Sequence, residues 1–169
     1  MKINISALSR ENFSTYGEAV LIRENQSPDS TGVGWKCWYP LEKISRAESL
    51  AIGIVMTDPI PWKVKLMERH LDRPEYVIAL EKPIIQVVSL SDPDFPAKPS
   101  LSKTEAFLIK PGQAVRIKKG VWHSAALAYF PEPTKYLFLL SEACNDILDQ
   151  DSGLVPFNQN QTIDIVESV

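Results

Sequence analysis

Proline-containing turns divide this chain into short apolar runs, and that division limits the folds it can adopt. The 169 residues include 13 prolines and 7 glycines. Between the turns lie runs of strand length, such as residues 2–8, 84–90 and 135–140, that are rich in Val, Ile, Leu and Phe. Turns spaced by roughly 8–12 residues are typical of β-sandwiches and barrels, and prolines at this spacing would interrupt the helices of a bundle. The sequence therefore predicts an all-β barrel or sandwich of about ten short strands.

One short helix is expected near the start of the chain. Ser9 is a suitable N-cap, the segment that follows contains Phe13 and Tyr16, and Gly17 can end it. The apolar fraction of 44% is high enough to build a core, and no repeat or low-complexity linker divides the chain. We expect residues 1–169 to form a single domain.

Charge and apolar patterning exclude several classes of protein. The net charge of −3 argues against nucleic-acid binding, which usually shows as a clustered basic face. No apolar run approaches the roughly 20 residues that cross a bilayer, and the first residues lack the apolar core of a signal peptide. Cys37 and Cys144 are isolated and form no Cys-x-x-Cys pair. We therefore expect a cytoplasmic protein without a membrane partner.

The chain has two histidines, and the first ends an alternating stretch. Across residues 62–70, Val64 and Leu66 alternate with lysines, and the same parity continues into Glu68 and His70. Because strand side chains repeat every second residue on one face, this predicts one strand with a carboxylate and an imidazole pointing inward.

The second histidine lies in a similar context. Val121, His123, Ala125 and Leu127 share one face of a predicted strand, and Gly120 marks a tight turn before it. Burying unpaired charges costs several kcal/mol, so inward-facing polar groups need partners or a ligand. If both faces belong to one small barrel, the two imidazoles and the Glu68 carboxylate converge in a shared cavity.

Two motifs resemble those of the cupins, which are small jelly-roll barrels. The segment Glu68-Arg-His70-Leu-Asp-Arg-Pro-Glu75 resembles their first motif, His-x-His followed after four residues by Glu, with Glu68 at the first His. Lys118-Lys-Gly120-Val-Trp-His123 is similar to their second motif, Pro-x-Gly-x-x-His, without the Pro. The resemblance implies an all-β, cupin-type jelly-roll barrel with one or two short helices.

One cupin family, the ureidoglycolate lyases (also called ureidoglycolate hydrolases), is more closely similar. The opening Leu8-Ser-Arg-Glu11-Asn-Phe13-Ser14-Thr-Tyr16-Gly17-Glu18 resembles the start of that family, and Glu68-Arg-His70 and Val121-Trp-His123 resemble its internal signatures. The chain has Ser124 where members carry a second His, and Lys118 where a His can occur. The resemblance implies a homodimeric carbon–nitrogen lyase that cleaves ureidoglycolate to glyoxylate and urea in allantoin and purine degradation.

The candidate residues can be given roles on chemical grounds. Two imidazoles with a carboxylate could bind one divalent metal, Zn, Ni, Mn or Fe, through His70, Glu75 and His123, and a site without metal is equally open. Lyase chemistry needs a base, for which His123 or Glu68 is suitable, and an acid, for which His70 is suitable unless it is a metal ligand. Glu75 follows a proline, so it also fits a strand start at the surface.

The partner implied by the resemblance is a small hydroxy or ureido acid. We expect Arg116, Gln86 and Glu75 to bind it, with Arg116 or a metal holding its carboxylate, although Arg116 also fits a solvated position near a turn. Two other functions remain open on the sequence alone: a non-catalytic or regulatory cupin that binds a small ligand, and a sugar-modifying cupin isomerase.

Overall fold

The computed structural model describes residues 1–22, 26–33, 35–38, 40–41, 50–141, 153–158 and 161–167, and within these ranges it is almost entirely β. In chain order the elements are β1 (Lys2–Ala7), α1 (Arg10–Phe13), β2 (Gly17–Val20), β3 (Ser30–Gly32), β4 (Trp35–Cys37), β5 (Leu50–Thr57), β6 (Lys63–Val64), β7 (Leu66–Met67), β8 (Glu75–Ala79), β9 (Ile84–Ser91), β10 (Pro99–Ile109), β11 (Ala114–Ile117), β12 (Trp122–His123), β13 (Leu127–Ala128), β14 (Thr134–Ser141), β15 (Val155–Pro156) and β16 (Ile163–Val166).

Two main sheets enclose the core. The larger has the order β12-β9-β10-β1-β16-β6, with β13 also paired to β9, and the smaller has the order β2-β11-β8-β14-β5. Val77 and Val115 of the smaller sheet belong to the same buried cluster as Val88 and Phe107 of the larger one. The inner faces of the two sheets therefore pack on each other, and the prediction of an all-β, cupin-type barrel is confirmed.

Strand β9 is buried on both faces. Ile84 and Val88 belong to the cluster between the main sheets, whereas Ile85 and Val87 belong to a second buried cluster. Since side chains alternate along a strand, Gln86 shares the inner face with Ile84 and Val88. A polar amide is thus held among apolar side chains inside the barrel.

The short helix is present and is capped as predicted. Ser9 Oγ accepts the Asn12 backbone N–H at 3.1 Å, and Asn12 Oδ1 accepts the Ser9 backbone N–H at 2.9 Å. Phe13 is fully buried. The helix is shorter than expected, and Gly17 begins β2, where a Cβ would overlap the Arg116 carbonyl oxygen. This glycine is therefore required by the close approach of β11.

The prediction of one continuous strand over residues 62–70 is wrong. Strand β6 pairs with β16 in the larger sheet, whereas β7 pairs with β15 in a separate two-stranded sheet. The change of sheet shifts the parity by one residue, so Leu66 is 42% exposed and Met67 is fully buried. The partner strand β15 lies some ninety residues away in sequence, and its pairing leaves no local signal.

The strand predicted through residues 121–127 is also interrupted. Strands β12 and β13 both pair with β9, but residues 124–126 leave the ladder, and Ala125 is exposed while Ala126 is buried. The turn at residues 110–113 forms, with Gly112 at a φ of +81°, yet it joins β10 and β11 of opposite sheets. Pro and Gly in this turn are typical of a β-hairpin, but here the turn forms a corner between the two sheets.

Residues 25–34 are rich in Asn, Ser, Pro, Asp and Gly, which is typical of a loop, yet they include β3, which pairs with β4. Alternation near the end of the chain indicates an edge strand, but β16 lies between β1 and β6. Cys144 and residues 142–150, whose pattern indicates a helical turn, lie outside the described residues. Across the described part of the chain, no helix combines the length and the apolar character needed to cross a membrane.

Candidate functional site

Backbone hydrogen bonds hold the two histidine-bearing segments side by side. The Glu68 N–H donates to the His123 carbonyl at 2.9 Å, and the His123 N–H donates to the Glu68 carbonyl at 2.8 Å. The Gly120 N–H donates to the His70 carbonyl at 2.6 Å, and Gly120 has the positive φ of +78° that the preceding turn needs. The main chain therefore fixes the relative position of both imidazoles.

Glu75 joins the two imidazoles from the opposite sheet. It is the first residue of β8, and its Oε2 lies 3.1 Å from His70 Nε2 and 3.0 Å from His123 Nε2. The two ring centroids are 5.4 Å apart, and both histidines are buried. Glu75 is also largely buried, so the alternative of a surface strand start does not describe its environment.

The electrostatics of this group follow from the shared carboxylate. Burial alone would raise the pKa of Glu75, but the hydrogen bonds from His123 and His70 and the charges on these rings lower it to about 2. Burial opposes charge on His123, yet its hydrogen bond to Glu75 and the charge of that carboxylate raise its pKa. Glu75 is therefore a carboxylate at neutral pH, and it favours the imidazolium form of His123.

The same three side chains could hold a divalent metal. One ligand atom from each of His70, Glu75 and His123 lies within 4.8 Å of the others. Ligands bonded at about 2.0–2.2 Å to a tetrahedral ion lie a little over 3 Å apart, and the Glu75 oxygen lies 3.0–3.1 Å from each imidazole nitrogen. The Val121 carbonyl accepts the His123 Nδ1–H at 3.1 Å and leaves Nε2 facing the other two groups. The donor set and its support therefore fit a metal.

A cavity of about 310 Å³ opens on this group. Its polar lining includes Glu68, whose side chain is 32% exposed and whose Oε1 lies 4.0 Å from His123 Nε2. Tyr136 accepts the Ala126 N–H at 3.3 Å, and its burial raises its pKa to about 12, so it stays protonated. The apolar wall consists of Val55, Val77, Ala125, Phe138 and Leu140. This volume suits a small metabolite.

The sequence matches the family described as Ureidoglycolate lyase over residues 1–161. The chain belongs to this family. Curated ureidoglycolate lyases from Escherichia coli (strain K12 / DH10B) and Shigella boydii serotype 18 are each 29% identical to it over 137 residues, covering 76% of this chain and 81% of theirs.

Solved structures of two oxalate decarboxylases were also found. A formate complex from Lactobacillus farciminis aligns with 63% of this chain and 26% of its own, at 16% identity and a TM-score of 0.42. A Bacillus subtilis structure at pH 4.6 aligns with 65% of this chain and 24% of its own, at 15% identity and a TM-score of 0.41. The chain thus spans about a quarter of each of these larger proteins.

Ser124 and Lys118, where this chain departs from the resemblance, have different environments. Ser124 is buried and lines the cavity, so the residue at this position faces the site. Lys118 is exposed, and its Nζ donates to the Ser14 carbonyl at 2.7 Å at the end of α1. Lys118 is therefore anchored away from the imidazoles, whereas Ser124 belongs to the cavity of this family member.

Two further expectations about side chains have different outcomes. Arg116 does not line the cavity: it alternates with the buried Val115 and Ile117, and its Nη1 donates to Glu18 at 2.7 Å on the outer side of the sheet. This geometry argues against the expectation that Arg116 holds the substrate carboxylate, and its role in binding stays a prediction to be tested. Gln86 does line the cavity, and its role in binding stays a prediction.

Sequence reasoning missed part of the site. Tyr136, Val55 and Phe138 come from β14 and β5, and the sequence analysis assigned them no part in the cavity. Arg69, between Glu68 and His70, does not line the cavity: its guanidinium lies 4.3 Å from the Trp122 ring centroid and donates to the Ser91 hydroxyl at 3.0 Å. Alternation along these strands indicated their inner faces, but only strand pairing shows which faces meet.

Proposed function

We propose that the protein is a ureidoglycolate lyase, which cleaves ureidoglycolate into glyoxylate and urea in allantoin and purine degradation. Membership of the family supports this activity. The observation that carries it is the meeting of His70, His123 and Glu75 beside Glu68 in one small cavity. Buried titratable groups that converge on a cavity are typical of catalytic sites.

The reaction defines what these groups must do. Ureidoglycolate carries a hydroxyl and a ureido nitrogen on the same carbon. Removing the hydroxyl proton forms the carbonyl of glyoxylate as the carbon–nitrogen bond breaks, and the departing nitrogen takes up a proton to give urea. Each properly placed proton carrier typically contributes about 10²–10⁴-fold to the rate.

We assign the role of base to Glu68. Its carboxylate lines the cavity and is partly exposed, so it can reach a substrate hydroxyl, whereas the Glu75 oxygen is already shared by two imidazoles. The Glu68 backbone is fixed by its two hydrogen bonds with His123. This position lets Glu68 accept the hydroxyl proton without giving up a structural contact that the site needs.

We assign the donor role to His123 in the metal-free site. Its Nε2 lies 3.0 Å from Glu75 and 4.0 Å from Glu68, at the boundary between the buried group and the cavity. Glu75 and the Val121 carbonyl orient the ring, and a proton on Nε2 is available to the departing nitrogen. His70 also makes a hydrogen bond with Glu75, and we assign its imidazole to the substrate carboxylate.

A metal form of the site is also part of the proposal. A divalent metal such as Zn, Ni, Mn or Fe, held by His70, Glu75 and His123, would supply Lewis-acid polarisation of the substrate oxygens. Glu68 lies outside this set of ligands and keeps its role in proton transfer in both forms.

The decisive experiment measures urea and glyoxylate release from ureidoglycolate by the purified chain. The protein is assayed after chelation and again with each divalent metal added. Release should fall by about 100-fold or more in Glu68→Gln and His123→Ala. Glu81→Gln, an exposed carboxylate between β8 and β9, is the matched control and should keep full activity. Absence of release under every metal condition would contradict the lyase, and stabilisation by another small metabolite would then favour the ligand-binding cupin.

We also propose that residues 1–169 form one cytoplasmic domain and that the protein is a homodimer. In the described residues β5 is the outermost strand of its sheet, and it carries the exposed apolar row Ile52, Ile54 and Met56. A long apolar edge strand is usually covered by a partner. Sedimentation velocity should show a dimer that Ile54→Lys converts to a monomer, and a monomeric wild type would contradict this assembly.

A further inference from the structure

Two residues that line the cavity each carry a polar atom without a partner among the described residues. Gln86 Oε1 and Ser124 Oγ are each buried and make no hydrogen bond there. The two residues are only 1% and 7% exposed, and both line the cavity that holds the imidazoles. Because a buried polar atom without a hydrogen bond is unfavourable, such a pair calls for a ligand.

The orientation of the Gln86 amide is fixed by its other contacts. Its Nε2 donates to the Ser124 carbonyl at 2.8 Å and to the Val87 carbonyl at 3.2 Å. A flipped amide would place its oxygen against two carbonyl oxygens, which cannot donate. Both amide hydrogens are therefore used by the main chain, and Oε1 can offer a ligand only an acceptor.

Ser124 complements this acceptor. Its backbone carbonyl accepts the Gln86 amide, so the two residues are in contact, and its hydroxyl can both donate and accept. Neither side chain carries charge, in contrast to the group of His70, Glu75 and His123 on the same cavity. The cavity thus has one charged region and one neutral region that requires a donor.

We propose that Gln86 and Ser124 form the subsite that recognises the ureido end of the substrate, an inference that rests on the proposed lyase function. Gln86 Oε1 accepts a ureido N–H, and the Ser124 hydroxyl donates to the ureido carbonyl. The substrate carboxylate and hydroxyl then lie toward the imidazoles and Glu68. A ligand without N–H donors leaves the Gln86 acceptor unsatisfied and binds more weakly.

Two non-reacting ligands of the same shape test this subsite. N-carbamoylglycine has the ureido group and the carboxylate but lacks the hydroxyl that elimination requires. Levulinate, 4-oxopentanoate, replaces its NH₂ and NH by CH₃ and CH₂. Calorimetric titration of the full chain should show that N-carbamoylglycine binds about ten-fold or more tightly than levulinate. Gln86→Met should bring the two affinities within about two-fold, mainly by weakening N-carbamoylglycine.

The control variant is Thr134→Val. Thr134 Oγ1 is also buried without a partner among the described residues, but it does not line the cavity, so this variant should keep the wild-type preference. Ser124→Ala, a smaller change, should weaken both ligands by a similar factor, because each carries the carbonyl that the Ser124 hydroxyl contacts; this variant tests the subsite if Gln86→Met fails to fold, and unchanged binding of both ligands would count against it. Equal binding of both ligands by wild type, or a full preference in the folded Gln86→Met variant, would overturn the subsite.

The binding and turnover results separate the two proposals. Wild type that releases urea but shows no preference between the ligands would overturn the subsite and leave the lyase in place. Wild type that shows the preference but no turnover would support the subsite and overturn the lyase. In an active enzyme, Gln86→Met should lower kcat/KM for ureidoglycolate by about ten-fold, since the ureido contact is lost.

Discussion

Replacing Glu75 by Gln tests how much the shared carboxylate contributes to stability. The change keeps the shape of the side chain but removes the charge that lies 3.0–3.1 Å from the two imidazoles. A carboxyl group whose pKa falls from 4.5 in the unfolded chain to about 2 in the fold contributes about 3 kcal/mol at neutral pH. For a chain of this size, that corresponds to a fall in Tm of about 6–12 °C.

The pKa shift of Glu75 also predicts how its contribution to stability changes with pH. Because the pKa of Glu75 is lower in the fold than in the unfolded chain, its contribution is fully present above pH 4.5 and is lost as the pH falls toward about 2. The variant cannot ionise at this position. The stability difference between wild type and Glu75→Gln should therefore be present above pH 4.5 and shrink as the pH falls through this window.

The assay is urea unfolding followed by tryptophan fluorescence, with metal chelated, at pH 7 and at intervals down to pH 2.5. Glu81→Gln is the matched control, and its exposed carboxylate should change the free energy of unfolding by no more than about 0.5 kcal/mol. Equal stability of wild type and Glu75→Gln at pH 7 would refute the reasoning. A loss of the same size at every pH would show that shape, and not charge, is responsible.

Three other predictions concern positions where the structure corrects or extends the sequence analysis. Met67→Ala should lower the free energy of unfolding by about 2–5 kcal/mol, because Met67 is buried, whereas Leu66→Ala should lower it by less than about 1 kcal/mol. Urea unfolding measures both, and the reverse order would contradict the change of sheet. Gly53→Ala places a Cβ against the Phe138 ring, and because that ring lines the cavity, we expect KM for ureidoglycolate to rise; an unchanged KM would argue against this wall. Arg116→Ala should leave KM for ureidoglycolate within about two-fold of the wild-type value. A rise of about ten-fold or more would indicate that Arg116 contacts the substrate.

Local chemistry accounts for the parts of the fold that the sequence predicts well. The capping residue Ser9 and the turn glycine Gly120 both act within a few residues of chain. Glu68 and His70 line the cavity as predicted, although the predicted strand is not continuous. Strand β7 ends at Met67, and Glu68 then pairs with His123 in an isolated bridge, so the parity that the change of sheet shifted is restored after Met67.

Long-range pairing accounts for most of what the sequence does not show. Strand β7 is defined by β15, and the 110–113 turn joins two sheets whose pairing is set by distant strands. The fixed amide of Gln86 depends on the Ser124 carbonyl, 38 residues away. The position of Arg116 is different, because Val115 and Ile117 beside it already indicated that it faces outward. That signal was present in the alternation.

Ser124 shapes the cavity without altering the groups proposed for proton transfer. Residue 124 is buried and lines the cavity, so a histidine there would bring another imidazole to the site. In the described part of this chain the candidate metal ligands are two imidazoles and one carboxylate. Three protein ligands leave coordination positions open for a substrate. Glu68 is outside this set, so the proposed base does not depend on residue 124, and the Ser124 carbonyl also fixes the Gln86 amide that we assign to the ureido group.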